Sequence, residues 1–205
     1  MSFIYEVETR FSFNNQEEIY RKFPFLNSCF DKNIIWETTH YGKELHKKDI
    51  VLRLSNSEIN NKKIYSLGYK EPDFGEVLNI RKEYTEIVND GVQNSKILNI
   101  LNGNITLDNF IQVEEELVRL GYEPFMSFAG TSYIGAYKPL NMDFKMMFCD
   151  SLKYPLLLEV EKEACNEKEI RSCKKEIFDF IDKYNLRSKL IGKEPPTLLY
   201  EYLDL

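Results

Sequence analysis

Glu6-Val7-Glu8-Thr9-Arg10 near the start of the chain and Glu159-Val160-Glu161 near its end carry the same Glu-Val-Glu tripeptide. The first lies in a run with the two-residue period of a strand: Phe3, Tyr5, Val7 and Phe11 fall on one face, Glu6, Glu8 and Arg10 on the other. On a strand, each tripeptide puts two carboxylates on one face with a valine behind them. Four carboxylates gathered in one cavity repel each other unless something positive sits among them, and a hard divalent cation that prefers oxygen ligands is the simplest candidate. The repeat therefore predicts a metal site built from the first and last strands, provided the two runs lie close in the fold.

Working outward, the same alternation marks further strands at Asp49–Leu54, Ile64–Lys70, Ile80–Val88, Ser132–Lys138, Phe144–Asp150 and Leu156–Lys162. Helical spacing marks Asn15–Phe23, Leu107–Leu120 and Glu167–Leu186. Gly121 stands where the second of these needs a C-terminal cap, and Asn166 with Glu169 has capping-box spacing before the third. Several strands pair an apolar face with one bearing Glu, Arg or Lys. Such a face meets water in an open sheet or lines a polar interior in a closed barrel, and periodicity alone leaves both open.

The 205 residues are 43% hydrophobic and show no splitting linker, which predicts a single domain spanning residues 1–205. A net charge of −6 argues against non-specific nucleic-acid binding. Cys29, Cys149, Cys165 and Cys173 form no CxxC pair, so a reduced, cytoplasmic protein is expected, with the last three at least partly buried. No signal peptide or membrane-length apolar run is expected. His40 and His46 lack zinc spacing and read as exposed loop residues. Neither a Walker loop nor a nucleophilic triad is present in the sequence.

The charged motifs occur in an order that resembles the CYTH superfamily, the triphosphate tunnel metalloenzymes. Glu6-Val7-Glu8-Thr9-Arg10 is similar to the opening Glu-x-Glu-x-Lys, with Arg in place of Lys. Val51-Leu52-Arg53-Leu54-Ser55 resembles Leu-Arg-x-Arg, and Tyr69-Lys70-Glu71-Pro72 the strand that ends in Lys. Arg81-Lys82-Glu83-Tyr84-Thr85 is similar to Arg-x-Glu-x-Glu, and Leu120-Gly121-Tyr122 to Leu-Gly-Phe. Glu159-Val160-Glu161 matches the closing Glu-x-Glu. The chain departs from the pattern at Ser55, at Thr85 and at Phe128-Ala129-Gly130-Thr131-Ser132-Tyr133, which keeps only the tyrosine of Lys-x-Arg-x-x-Tyr. Thr38-Thr39-His40-Tyr41 stands where Asp-x-Tyr-Phe is expected.

The resemblance implies an α+β fold: an antiparallel eight-stranded β-barrel, the triphosphate tunnel, with helices packed outside. It implies Mg²⁺ or Mn²⁺ held by Glu6, Glu8, Asp150, Glu159 and Glu161, with the four glutamates as the catalytic set. Arg10, Arg53, Lys70 and Arg81 would hold phosphate, supported by Glu83 as a second metal ligand or an arginine partner. A triphosphate carries about four negative charges near neutral pH, so it leaves water only for both metal and basic groups. The implied reaction is hydrolysis of a nucleoside, thiamine or inorganic triphosphate. A class IV adenylyl cyclase making cyclic AMP and a catalytically degenerate nucleotide or polyphosphate binder are the alternatives. Neither a membrane nor a nucleic acid is an expected partner, and a homodimer is allowed.

Overall fold

The computed structural model describes residues 4–205, so Phe3 of the first apolar face lies outside the described residues. In chain order the strands are β1 (Ile4–Ser12), β2 (Lys32–Tyr41), β3 (Val51–Ile59), β4 (Lys62–Lys70), β5 (Asn79–Ile87), β6 (Pro124–Tyr137), β7 (Met142–Phe148), β8 (Leu156–Ala164) and β9 (Leu190–Ile191). The helices are α1 (Gln16–Lys22), α2 (Lys43–His46), α3 (Lys96–Ile100), α4 (Phe110–Arg119), α5 (Glu167–Lys183) and α6 (Pro195–Tyr202). Hydrogen bonding orders the sheet β5-β4-β3-β2-β6-β7-β8-β1-β9, and β5 also pairs with β1. The order of β1 to β8 thus closes on itself, giving an α+β fold with an eight-stranded antiparallel barrel. No helix among the described residues is long and apolar enough to cross a membrane.

The described residues gather into two compact units. One comprises the chain up to Ile34 together with Phe74–Arg81 and Gly130–Leu205. Its core packs Val7 and Phe11 of β1, Phe144 and Met146 of β7, and Leu158 and Val160 of β8 against Ile170, Cys173, Ile177 and Phe180 of α5. Val7 and Val160 are fully buried, and burying one such side chain is worth about 1.5–3 kcal/mol. A one-residue slip would turn both valines away from this apolar core and glutamates into it, so the core fixes which face carries the carboxylates. Helix α5 starts as its capping spacing predicts: the Asn166 side chain accepts from Glu169 N at 3.0 Å, and the Glu169 carboxylate accepts from Cys165 N at 2.8 Å.

The other unit comprises Ile35–Asp73 and Lys82–Ala129. Tyr41, Leu52, Leu54, Leu67 and Tyr69 form its core with Leu98 of α3 and Val113 and Leu117 of α4. Asn109 caps α4 by accepting from Gln112 N, and Gly121 ends that helical region at φ +87°.

Three local expectations need correction. His40 sits within β2 and is 1% exposed, because a long strand occupies the segment read as a loop. Cys165 is exposed, at the turn into α5, where no core residue covers it. Strand β6 begins at Pro124, well before Ser132, so Met126 and Phe128 belong to a buried strand face.

Candidate metal and phosphate site

Strands β1, β8 and β7 lie side by side, and their registers stack the charged residues in two rows. Arg10 is opposite Glu159, and Glu159 opposite Lys145. Glu8 is opposite Glu161, and Glu161 opposite Asp143. The first row alternates in sign, whereas the second is acidic throughout. Like charges directly opposite one another destabilise a sheet unless a cation lies between them.

Ligand atoms of Glu8, Glu159 and Glu161 all lie within 4.8 Å of one another. Glu8 and Glu159 are buried and Glu161 is half-buried. Three oxygen donors at this spacing, on rigid neighbouring strands, suit a hard divalent cation. Glu6 is one step further along β1, opposite Glu163, and is not among the three clustered carboxylates. Asp150 is exposed in the turn after β7 and is not brought to the cluster either. The acid that the register does place beside Glu161 is Asp143, which the motif order gave no reason to choose.

Arg10 reaches across this cluster. Its Nη2 is 2.6 Å from Glu8 Oε1, its Nε 2.6 Å from Glu159 Oε2, and its Nη1 donates to Asn79 Oδ1 at 2.9 Å. Burial alone would lower the pKa of this guanidinium, but the charges of Glu159, Glu8 and Glu194 outweigh burial and raise it. Arg10 is thus a permanent cation, unable to act as a base at any working pH. Lys145 extends the row, with Nζ 3.5 Å from Glu159 Oε1, while Lys138 is exposed. Arg81, at the start of β5, is 3% exposed and pairs through Nε with Glu194 Oε1 at 3.2 Å.

In the second unit Arg53, Lys70 and Glu83 form one group. Arg53 is opposite Gly68, and Lys70 opposite Glu83. A Cβ on Gly68 would lie 3.0 Å from Arg53 Nε, so the glycine lets the arginine lie flat across β4. Glu83 then accepts from Arg53 Nη2 at 3.1 Å through Oε1, and Lys70 Nζ stands 3.0 Å from its Oε2. Glu83 thus contacts an arginine and a lysine of this unit together.

Of the sequence departures, Ser55, Thr85, Thr38–Tyr41 and Phe128 belong to the same unit. Ser55 donates to Thr38 Oγ1 at 3.1 Å. The Phe128 ring stacks on His40, with centroids 5.5 Å apart and planes 15° apart, and meets Trp36 edge-on at 5.6 Å. Burial, then the nearby positive charge of Arg53, then His46, push the His40 pKa down to about 3, so the imidazole is neutral. Phe128, packed on His40 and Trp36 of β2, therefore stands on the strand where the resemblance implied two phosphate-binding cations.

No family sequence model matches the chain, and no curated protein matches it significantly. Solved structures do. PH1819 from Pyrococcus horikoshii OT3 is similar at TM-score 0.74 and 18% identity, over 96% of this chain and 99% of that one. HpAC1 from Hippeastrum, an adenylyl cyclase candidate with a dominant triphosphatase activity, is similar at TM-score 0.61 and 12% identity, over 97% of this chain and 96% of its own. A chain of the Schizosaccharomyces pombe Mediator head module is similar at TM-score 0.57 and 11% identity, over 87% of this chain and 95% of its own. The chain shares the barrel fold of these structures. At these identities the likeness is one of fold.

Proposed function

We propose that the protein is a metal-dependent phosphoryl-transfer enzyme acting on a triphosphate, with hydrolysis as its reaction. The observation that carries this reading is the convergence of Glu8, Glu159 and Glu161 within 4.8 Å on a face whose neighbouring cation is Arg10. A Mg²⁺ or Mn²⁺ ion held by these glutamates would supply a Lewis acid for phosphate oxygens and a site for water. Arg10 and Arg81 offer guanidinium forks, which suit phosphate oxygens, and Lys70 a point charge. Arg53 and Lys70, in contact with Glu83, are the second unit's cations that the charged motifs assign to phosphate. Glu6 and Asp150 have no ligand role in this reading.

A second reading, a binder without turnover, is favoured by one specific observation. Phe128, stacked on His40, stands where the resemblance implies a strand cation, which leaves fewer charges for a triphosphate. Incubation with Mn²⁺ and tripolyphosphate, thiamine triphosphate or ATP, followed by assay of phosphate, pyrophosphate and cyclic AMP, separates the possibilities. Phosphate release that E161Q abolishes is the expected result. Cyclic AMP with pyrophosphate would make it a cyclase, and stabilisation without products a binder. No stabilisation by any metal and polyphosphate pair would sink the reading.

A further inference from the structure

The carboxylate facing Arg81 comes from the far end of the chain. After α5, the chain pairs through β9 with β1, Ile191 opposite Arg10 and Leu190 opposite Phe11. It then turns through Gly192 and Lys193 to Glu194, the residue before α6. Pro195, Pro196 and Leu199 of α6, just after this turn, are buried. Glu194 is itself 3% exposed.

A carboxylate at the N-cap of a helix ordinarily accepts from the backbone N–H groups of the first turn. Glu194 makes no such cap. Its Oε1 lies instead 3.2 Å from Arg81 Nε, and its charge also raises the pKa of Arg10, after burial and the larger effects of Glu159 and Glu8. Two of the four cations assigned to phosphate therefore feel one carboxylate delivered by the C-terminal segment.

Any anion that takes up Arg81 competes with that carboxylate. Glu194 is tethered, so its effective concentration at Arg81 is of order millimolar or higher. An anion of similar charge at micromolar concentration cannot displace it. A triphosphate, with about four charges and contacts to several cations at once, can. We propose that Glu194 is a specificity-determining residue of the phosphate site, holding Arg81 against weakly charged anions and yielding it to a triphosphate. The inference rests on the triphosphate reading above and adds to it a residue that the charged motifs did not mark.

The test is direct binding, by calorimetry with Mg²⁺, of orthophosphate, imidodiphosphate and imidotriphosphate, whose bridging nitrogens resist hydrolysis. In E194Q, imidodiphosphate should tighten about tenfold and imidotriphosphate less than about threefold, so that selectivity for the longer anion falls. Equal changes for both anions, or weakening of both, would overturn the role of Glu194 while leaving the triphosphate reading intact. If neither protein binds imidotriphosphate, both readings are overturned. Binding by E194Q alone would support both. If E194Q does not fold, hydrogen exchange on the parent protein decides. Imidotriphosphate should speed exchange in β9 and the first turn of α6 while slowing it in β8; unchanged or slower exchange at 190–199 overturns the proposal.

Discussion

Arg10 lies opposite Glu159 in the β1–β8 register, and its Nε is 2.6 Å from the Glu159 carboxylate. The same guanidinium reaches Glu8 at 2.6 Å. The protein thus supplies its own cation to two of the three glutamates that would hold a metal. A divalent ion entering the cluster would act alongside this arginine and meet Glu161, opposite Glu8 in the acidic row.

Removing Arg10 should expose that division. In R10M, Glu8 and Glu159 lose a buried partner, which costs about 3–5 kcal/mol in similar cases. Urea unfolding in EDTA should show a loss of that order. Mn²⁺ should then restore more stability to R10M than it adds to the parent protein, because the ion takes over from the guanidinium. An equal response of both proteins to Mn²⁺ would speak against metal at this cluster.

Gly68 tests the placement of Arg53. In G68A the new Cβ would come to 3.0 Å from Arg53 Nε and 3.1 Å from its Cγ, so the arginine must shift beside Glu83. Tripolyphosphate binding should weaken about tenfold, the loss expected for one charge-assisted contact, with stability within about 1 kcal/mol of the parent. Unchanged affinity would remove Arg53 from the phosphate ligands.

Glu83 gives a complementary outcome. E83Q leaves Arg53 and Lys70 without the carboxylate that aligns them in their unit. With Arg53 about a third exposed, the cost should be modest, about 1–3 kcal/mol in urea unfolding. Tripolyphosphate should stabilise E83Q more than the parent, since its oxygens can replace the missing acceptor. Equal stabilisation would mean that the anion does not reach this pair.

His40 predicts a pH dependence of stability. Its folded pKa, pushed down to about 3, lies below its ordinary 6.5. Between those values the unfolded chain takes up a proton that the folded protein refuses, so the folded state loses stability as pH falls from about 6.5 toward 3. The slope is about 1.4 kcal/mol per pH unit, and the contribution is flat above 6.5. Substitution with phenylalanine (H40F) removes it, so the stability difference between H40F and the parent should move in favour of H40F between pH 6.5 and 4. A pH-independent difference would contradict a neutral, buried imidazole.

Strands with one apolar and one charged face were legible because burial of Val7 and Val160 repeats with the same period as the carboxylates. Strand β2 was not. Its buried positions Thr38 and His40 are polar while Ile35 is 58% exposed, so hydrophobic alternation runs against the observed burial. The first half of β6 was hidden for a related reason: a proline opens it and Phe128 takes a position where the motif order led one to expect a cation. The sequence motifs singled out Glu8, Glu159 and Glu161, which the β1–β8 pairing brings together. Asp143 and Lys145 needed the β7–β8 register, and Glu194 needed the C-terminal segment to fold back to Arg81. Alternation assigns a face within one strand; it carries no information on which distant strand or turn will meet that face.

The central claim is that Glu8, Glu159 and Glu161 hold a divalent cation that binds a triphosphate. Crystals grown with Mn²⁺ and imidotriphosphate test it most directly through the anomalous signal of the metal. The account predicts one strong peak ligated by these three carboxylates and by a phosphate oxygen, with Arg10 beside it. Manganese elsewhere, or a cluster still closed by Arg10 with the anion bound at another surface, would contradict it.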